Sequence, residues 1–291
     1  MILSTQTDIA GRRFGEEQAV RWICEAGFDA IDYSMFRMQE DDFVLNTSEY
    51  KKHIAELKKI AEGYGKFFNQ AHAPFPSFKV NDAEYSKKIF PKIERSVEIA
   101  GLLGVQNIVV HPTDFGKESD ENLKLNAEFY NRLIPACKEY GVKVATENMF
   151  GRDKRRDYIV SNICSEGREF SKMMDMLDPE YFTACVDIGH AGLVGTTAAK
   201  LIKALGHDKL GCLHVHDNDY KHDRHLPPFF CELDWSEITQ ALADVDYKGD
   251  FTFEADNFLK KFPAELLPSA LNMLHDTGRF MMKEIERYGK V

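Results

Sequence analysis

Six of the ten histidines lie where a run of β-forming residues would end: His72, His111, His190, His214, His216 and His225. Carboxylates occupy equivalent places at Glu147, Asp187, Asp223 and Glu254. Imidazole and carboxylate groups are the ligands that zinc, manganese and similar divalent metals prefer in proteins. These residue types therefore predict a metal site, provided that the fold brings them together.

The local spacing supports this interpretation. In Asp187-Ile-Gly-His190, the carboxylate falls on a strand and the imidazole on the following turn. In His214-Val-His216, both rings point to the same side of a strand because side chains alternate with a period of two. The segment 223–225, Asp-Arg-His, repeats that spacing in a loop. A single histidine at a strand end is more often a hydrogen-bonded structural residue, so it is the joint placement that indicates a site.

The elements that must position these residues alternate regularly along the chain. Strands are predicted at residues 2–7, 30–36, 67–73, 107–111, 143–149, 182–187, 210–216 and 250–255. Helices are predicted at residues 16–26, 48–64, 82–103, 121–140, 166–177, 197–205, 235–243 and 263–286, with Pro91 and Pro268 expected to kink or split two of them. Eight consecutive βα units favour an α/β protein of the (β/α)8 TIM-barrel class, whose strand ends all meet on one face.

Composition narrows the function classes. No linker divides the chain, so residues 1–291 are predicted to form one domain. The net charge of -10 disfavours nucleic acid as a partner, and no apolar stretch approaches the roughly 20 residues of a membrane span. The six cysteines form no CxxC pair and are expected to be reduced thiols. The first ten residues lack the pattern of a secretory signal, which leads us to expect a cytoplasmic location.

As a set, these motifs resemble the xylose isomerase-like TIM-barrel superfamily, which includes sugar and sugar-phosphate isomerases and epimerases as well as AP endonuclease IV. The resemblance spans nearly the whole chain. It rests on Gln-Ala-His72-Ala-Pro, Ile-Val-Val-His111-Pro, Thr-Glu147-Asn, Val-Asp187-Ile-Gly-His190, Leu-His214-Val-His216-Asp-Asn, Asp223-Arg-His225-Leu-Pro and Tyr-Lys-Gly-Asp-Phe-Thr-Phe-Glu254.

The resemblance implies two alternative ligand sets. In the ketose epimerase branch, one metal is held by residues that match Glu147, Asp187, His214 and Glu254 here, while the position of His190 contacts substrate. In the endonuclease branch, three zinc ions use a larger set that matches His72, His111, Glu147, Asp187, His190, His214, Asp223, His225 and Glu254. The chain retains both sets, so the expected cofactor is one to three ions of manganese, zinc, cobalt or magnesium.

The function expected from the resemblance is that of a metal-dependent sugar or sugar-phosphate isomerase or epimerase. Glu147 and Glu254 would transfer the proton through an enediolate that the metal stabilises. His190 and His216 would orient substrate hydroxyls. Arg152 opens a charged run at 152–156 that could bind a phosphate or carboxylate, although a solvated run is the simpler interpretation. Arg224 is the nearest candidate for a substrate-binding arginine of the epimerase branch, at a different spacing.

Two other functions stay open. The first is a zinc-dependent phosphodiesterase of the endonuclease type, which Asp223 and His225 support. The second is a non-catalytic barrel that binds a sugar or a metal. The expected partner is a small-molecule sugar or sugar phosphate, and assembly into a homo-oligomer is an open alternative. Aromatic residues are expected to form an apolar rim around the site: Phe36, Phe75, Phe78, Phe115, Phe150, Phe229 and Phe230.

Overall fold

A computed structural model describes residues 1–289, so the last two residues of the predicted domain lie outside the described part. Eight parallel strands form one sheet in the order β10-β1-β2-β3-β4-β5-β8-β9. These strands are β1 Leu3–Gln6, β2 Ala30–Ser34, β3 Phe67–His72, β4 Asn107–Val109, β5 Lys143–Glu147, β8 Phe182–Asp187, β9 Leu210–His214 and β10 Phe251–Phe253.

The sheet closes where β9 meets β10. The amide of Val215 donates to the carbonyl of Thr252 at 2.9 Å, and the amide of Glu254 donates to the carbonyl of Val215 at 3.2 Å. The predicted TIM-barrel fold is therefore confirmed. Because every strand of the barrel runs in the same direction, the carboxyl ends of all eight lie on one face.

Helices surround the barrel. They are α1 Asp8–Phe14, α2 Glu16–Glu25, α3 Tyr50–Gly63, α4 Ala83–Leu103, α5 Ser119–Asn131, α6 Ile134–Tyr140, α7 Gly167–Asp175, α8 Ile188–Leu193, α9 Ala198–Lys209, α10 Trp235–Asp244 and α11 Leu267–Tyr288. Short 3-10 helices occur at Phe36–Gln39, Val44–Asn46, Asn257–Lys261 and Ala264–Leu266. Within residues 1–289, no helix combines the length and the apolar character needed to cross a bilayer.

Three helix predictions require correction. The single helix predicted at 121–140 is two helices, α5 and α6, and Pro135 lies in the first turn of α6. Pro91 does not split α4, which runs unbroken from Ala83 to Leu103. Helix α11 begins at Leu267 rather than at residue 263, so Pro268 lies in its first turn. Amides of the first turn have no hydrogen-bond partner within the helix, so a proline there breaks no helical hydrogen bond.

One insertion was not predicted. After β5 the chain forms an antiparallel hairpin of β6 Phe150–Asp153 and β7 Tyr158–Ser161, in which Phe150 pairs with Ser161. These two strands pair only with each other among the described residues. The hairpin therefore stands beside the barrel, at the end of β5 that carries Glu147.

The core has two parts. The larger one lies between the sheet and the helices and includes the fully buried side chains of Phe28, Tyr33 and Phe68. A smaller apolar cluster consists of Val109, Ala145, Cys185 and Cys212, which lie on four neighbouring strands. All six cysteines are free thiols, as expected from the sequence.

Candidate metal centre

The barrel brings together the predicted histidines and carboxylates. His72, Glu147, Asp187 and His214 are the last residues of β3, β5, β8 and β9, and Glu254 directly follows β10. His111, His190 and His216 lie two or three residues beyond a strand, and Asp223 and His225 reach the same place from the loop after β9. All of them are buried except Asp223 and His225, which are half-buried.

A first group of potential metal ligands consists of Glu147, Asp187, His214 and Glu254. One potential ligand atom from each of the four lies within 4.8 Å of the other three. The Nδ1 atom of His214 lies 3.1 Å from Oε1 of Glu147 and 3.3 Å from Oε2 of Glu254. Nδ1 is therefore the nitrogen of His214 that faces the carboxylates.

A second group adds two histidines to the same glutamate. The Nε2 atoms of His72 and His111 lie 2.9 Å apart, and Nε2 of His111 lies 2.7 Å from Oε2 of Glu147. Each carboxylate oxygen of Glu147 thus faces a different histidine, Oε1 facing His214 and Oε2 facing His111. Glu147 is placed to bridge two ligand groups.

A third group consists of His190, His216, Asp223 and His225. Its centre is Asp223, whose Oδ2 lies 2.9 Å from Nε2 of His225 and 3.9 Å from Nε2 of His190. His216 connects this group to the first, because its Nε2 lies 3.0 Å from the carboxylate of Asp187. The rings of His216 and His225 are stacked, with centroids 4.1 Å apart.

Main-chain carbonyls fix the tautomer of three of these histidines. In each one, Nδ1 lies 2.8 to 2.9 Å from a carbonyl oxygen and can only donate to it; the pairs are His72 with Ala73, His190 with Asn148, and His225 with Glu254. The hydrogen on Nδ1 leaves Nε2 as the nitrogen with a free lone pair. An imidazole held through one nitrogen with the other free is the usual arrangement of a metal ligand.

Several buried atoms of this cluster have no hydrogen-bond partner among residues 1–289. They are Nδ1 of His111, Nε2 of His214, Nδ1 of His216 and Oδ1 of Asp223. Buried polar atoms without partners are uncommon in folded proteins. Nitrogen and carboxylate donors in this proportion are those that zinc and manganese accept, so the residues present fit a divalent metal.

The two glutamates of the first group differ in their electrostatics. Burial alone raises the pKa of Glu147, but the charges of His214 and His111 outweigh it and hold that pKa well below the usual range. Burial also raises the pKa of Glu254, and the negative charges of Glu147 and Asp187 raise it further. A cation at this position would relieve the repulsion that Glu254 experiences.

The third group favours protonated histidines. Burial lowers the pKa of His190, but Asp187 and Asp223 overcome that effect and raise it to about 10. Asp223 raises the pKa of His225 to about 9 in the same way, again against burial. Both imidazoles are therefore cationic at neutral pH when no metal is bound, and the hydrogen on Nε2 must leave before that nitrogen offers its lone pair to a metal.

A cavity of about 460 Å³ opens onto these groups. Its apolar wall includes Phe36, Phe75 and Phe150, as expected for an aromatic rim. The other aromatic residues of the predicted rim lie elsewhere. Phe78 packs against Phe115, and Phe229 and Phe230 are more than half exposed.

The two predicted substrate-binding arginines differ in their placement. Arg152 lines the cavity from β6 while forming an ion pair of 2.9 Å with Asp157 across the hairpin. Arg224 does not line it; its guanidinium lies 2.7 Å from the carboxylate of Asp219 on the exposed loop after β9. Its proximity in sequence to His225 therefore does not bring it to the cavity wall.

Sequence reasoning missed two residues that hold the ligands in place. Asn148 bonds both main-chain groups of Asp187, with distances of 2.8 Å to the amide and 2.9 Å to the carbonyl. Asp217 accepts hydrogen bonds from the amides of Cys231 and Leu233 and from the indole of Trp235, and thereby orders the loop that carries Asp223. Both residues lie within a quoted motif, directly after a candidate ligand, and that position was the only available signal.

Comparison with known proteins identifies the family. A model of the family described as xylose isomerase-like TIM barrel matches residues 20–276. The chain belongs to the xylose isomerase-like TIM-barrel family. Among the solved structures of this fold is a D-tagatose 3-epimerase-like protein, with a TM-score of 0.73 and 19% identity over 100% of this chain and 99% of that one. At that identity the likeness is one of fold.

Two relatives illustrate the range of similarity within the xylose isomerase-like family. The chain is 27% identical over 168 residues to "Uncharacterized protein y4fM" of Sinorhizobium fredii, a match that covers 56% of this chain and about half, 51%, of that protein's length. It is 24% identical over 239 residues to the D-psicose 3-epimerase of Enterocloster bolteae, which covers 78% of this chain and 72% of the epimerase. Sugar epimerases are thus among the proteins most similar to this chain.

Proposed function

We propose that this protein is a metal-dependent sugar or sugar-phosphate isomerase or epimerase. The observation that carries the proposal is the first ligand group, in which Glu147, Asp187, His214 and Glu254 lie together and Glu254 lines the cavity. Two glutamates on strands separated by β8 and β9 are placed to act on a substrate from different directions. The similarity to sugar epimerases supports the same reaction class.

When bound, a divalent metal supplies a Lewis acid that makes the C–H beside a substrate carbonyl more acidic. Glu147, Asp187, His214 and Glu254 would hold it. Glu147 and Glu254 would act as base and acid, one removing the proton and the other returning a proton to the other face of the same carbon or to its neighbour. His190 and His216 would orient hydroxyl groups, and the apolar wall of Phe36 and Phe150 would exclude water.

Proton exchange at the substrate carbon tests the proposal directly. Ketoses and ketose phosphates are incubated with the metal-loaded protein in D2O, and deuterium at carbon is followed by NMR. Exchange by the wild-type protein and its loss on chelation are the expected results. Glu254→Gln should lower the exchange rate by about 10²- to 10⁴-fold.

The matched control is Glu265→Gln, because Glu265 is an exposed carboxylate of the 3-10 helix Ala264–Leu266, outside the cavity. The control should keep the wild-type exchange rate and thermal transition. A folded Glu254→Gln protein with an unchanged exchange rate would rule out the proton-transfer role of Glu254. Absence of exchange in every sugar tested with metal-loaded wild-type protein would count against the reaction class.

A second candidate function, a zinc-dependent phosphodiesterase, is favoured by the third ligand group. His190, His216, Asp223 and His225 form a set that a single-metal epimerase does not need. Several bound cations would stabilise the negative charge of a phosphodiester. Elemental mass spectrometry of protein purified without chelator separates the two functions, because one metal per chain supports the epimerase and two or three zinc ions would direct the search to phosphodiesters.

A further inference from the structure

Asp32 is a buried carboxylate that the proposed chemistry does not use. It lies on β2 and is only 1% exposed. Neither Oδ1 nor Oδ2 has a hydrogen-bond partner among the residues that the structure describes. Burying an unpaired carboxylate destabilises the folded protein unless a nearby positive charge compensates it. We therefore expect a group of opposite charge in its surroundings.

The compensating group is His214. Because Nδ1 of His214 faces Glu147 and Glu254, Nε2 lies on the opposite edge of the ring and points away from them. Nε2 is buried and, within residues 1–289, also without a partner. Strand β2 stands three places from β9 around the closed barrel. The residues on either side of Asp32 and of His214 belong to the core between the sheet and the helices, so both side chains point into the barrel interior. Burial raises the pKa of Asp32 to about 7 against the charge of His214, which favours the ionised carboxylate; Asp256 and Glu147 raise that pKa further.

We infer that Asp32 is a positioning residue for the metal centre: its negative charge keeps the hydrogen of His214 on Nε2 and so reserves Nδ1 as the metal ligand. This inference rests on the proposed metal-dependent function. A carboxylate behind a metal-bound imidazole orients the ring and raises its basicity. Asp32 is not in direct contact with His214, so it acts through its field or through a bridging water in the interior.

Metal affinity is the readout, because a purely structural role would not change it selectively. Affinities for Mn2+ and Zn2+ are measured by competition with a chromophoric chelator for the wild-type protein, Asp32→Asn, Asp32→Ser and Asp32→Glu. We expect about 10- to 100-fold weaker binding for the two neutral variants, as for the loss of other groups that support a metal ligand. The charged variant Asp32→Glu should stay closer to the wild-type affinity, so that affinity follows charge rather than shape.

The matched control is Asp250→Asn. Asp250 is a largely buried carboxylate at the opposite, amino end of β10, where it accepts a hydrogen bond of 2.7 Å from Asn69. Its loss should alter the thermal transition without altering the metal affinity. Wild-type protein that binds no metal would overturn the proposed function, whereas metal-binding wild-type protein with equal affinity in a folded Asp32→Asn or Asp32→Ser variant would overturn this inference alone.

One measurement needs no neutral variant. In zinc-loaded wild-type protein with 13C-labelled aspartate, the carboxyl carbon of Asp32 must show the shift of an ionised carboxylate at pH 7. A protonated carboxyl in the loaded protein would overturn the inference, even if neither neutral variant folds.

Discussion

The side-chain amide of Asn148 forms two hydrogen bonds with the main chain of Asp187. Its Oδ1 accepts from the Asp187 amide at 2.8 Å, and its Nδ2 donates to the Asp187 carbonyl at 2.9 Å. This pair ties the end of β5 to the end of β8. The carbonyl of Asn148 also accepts the hydrogen bond that fixes the tautomer of His190. One residue thus fixes the positions of ligands in two of the three groups.

Asn148→Ala should therefore destabilise the protein and weaken metal binding together. Two buried main-chain groups of Asp187 lose their partners, which costs about 2–4 kcal/mol of the free energy of unfolding. Urea denaturation and chelator competition measure the two effects. Asn131→Ala, at the exposed end of α5, is the control and should change neither quantity. Stable Asn148→Ala protein with wild-type metal affinity would contradict this role.

Metal binding in the third group should release protons. The pKa values of His190 and His225 are raised to about 10 and about 9, so both carry a proton at pH 7 that must leave before Nε2 can bind a metal. Apparent affinity should therefore fall as the pH is lowered from 8 to 6, by about tenfold per pH unit for each proton released. The dependence should level off as the pH rises through about 9 and about 10.

Calorimetric titration in buffers of different ionisation enthalpy counts these protons. The release of a proton from both histidines is expected if the third group takes a metal. A pH-independent affinity between 6 and 8 would show that the metal leaves His190 and His225 untouched. His225→Gln should remove one of the released protons and flatten the slope.

Gly189, in the first turn of α8, should tolerate no side chain. A Cβ at this position would overlap the imidazole of His216. Gly189→Ala must therefore displace His216 from Asp187, and we expect a loss of about 1–3 kcal/mol in stability as for other overpacked sites. The control is Gly63→Ala at the end of α3, where a Cβ meets nothing within 4 Å. Equal thermal transitions for the two variants would contradict the close packing at Gly189.

Arg152 provides a test of whether the substrate carries a phosphate. It is the arginine that lines the cavity, whereas Arg156 lies on the exposed turn of the hairpin. If the substrate is phosphorylated, Arg152→Gln should raise KM by about tenfold or more, the value of one charge-assisted contact, with kcat nearly unchanged. Arg156→Gln is the matched control with the same charge change. A KM that is the same in both variants would assign Arg152 to its ion pair with Asp157 alone.

The sequence predicted the barrel and the ligand cluster because both depend on a repeated pattern. Strand ends in a parallel barrel converge, so His72, His111 and Glu147 could be placed together without knowing any contact between them. The hairpin at 150–161 escaped prediction because the charged run 152–156 interrupts the alternation of apolar residues expected of strands. Each strand has only four residues, and β6 ends in the charged pair Arg152 and Asp153, so both strands have little local signal.

Residues whose role is to orient other residues were the hardest to predict from the sequence. Asn148 and Asp217 hold ligands through main-chain geometry, which exists only in the folded barrel. Arg224 is adjacent to His225 in sequence, yet its guanidinium turns to Asp219 because a carboxylate within reach determines its direction. Asp32 carries no motif at all, and only its position on β2, across the barrel from His214, makes it significant.

The hairpin of β6 and β7 contributes Phe150, Gly151 and Arg152 to the cavity wall without joining the barrel sheet. Its length and composition can therefore change while every ligand on the eight barrel strands stays in place. The barrel strands thus hold the ligand groups, while a separate insertion shapes part of the cavity wall. Exchange of residues 150–161 for the corresponding insertion of another barrel should therefore change which molecules the cavity accepts, while the ligand groups on the barrel strands keep their positions.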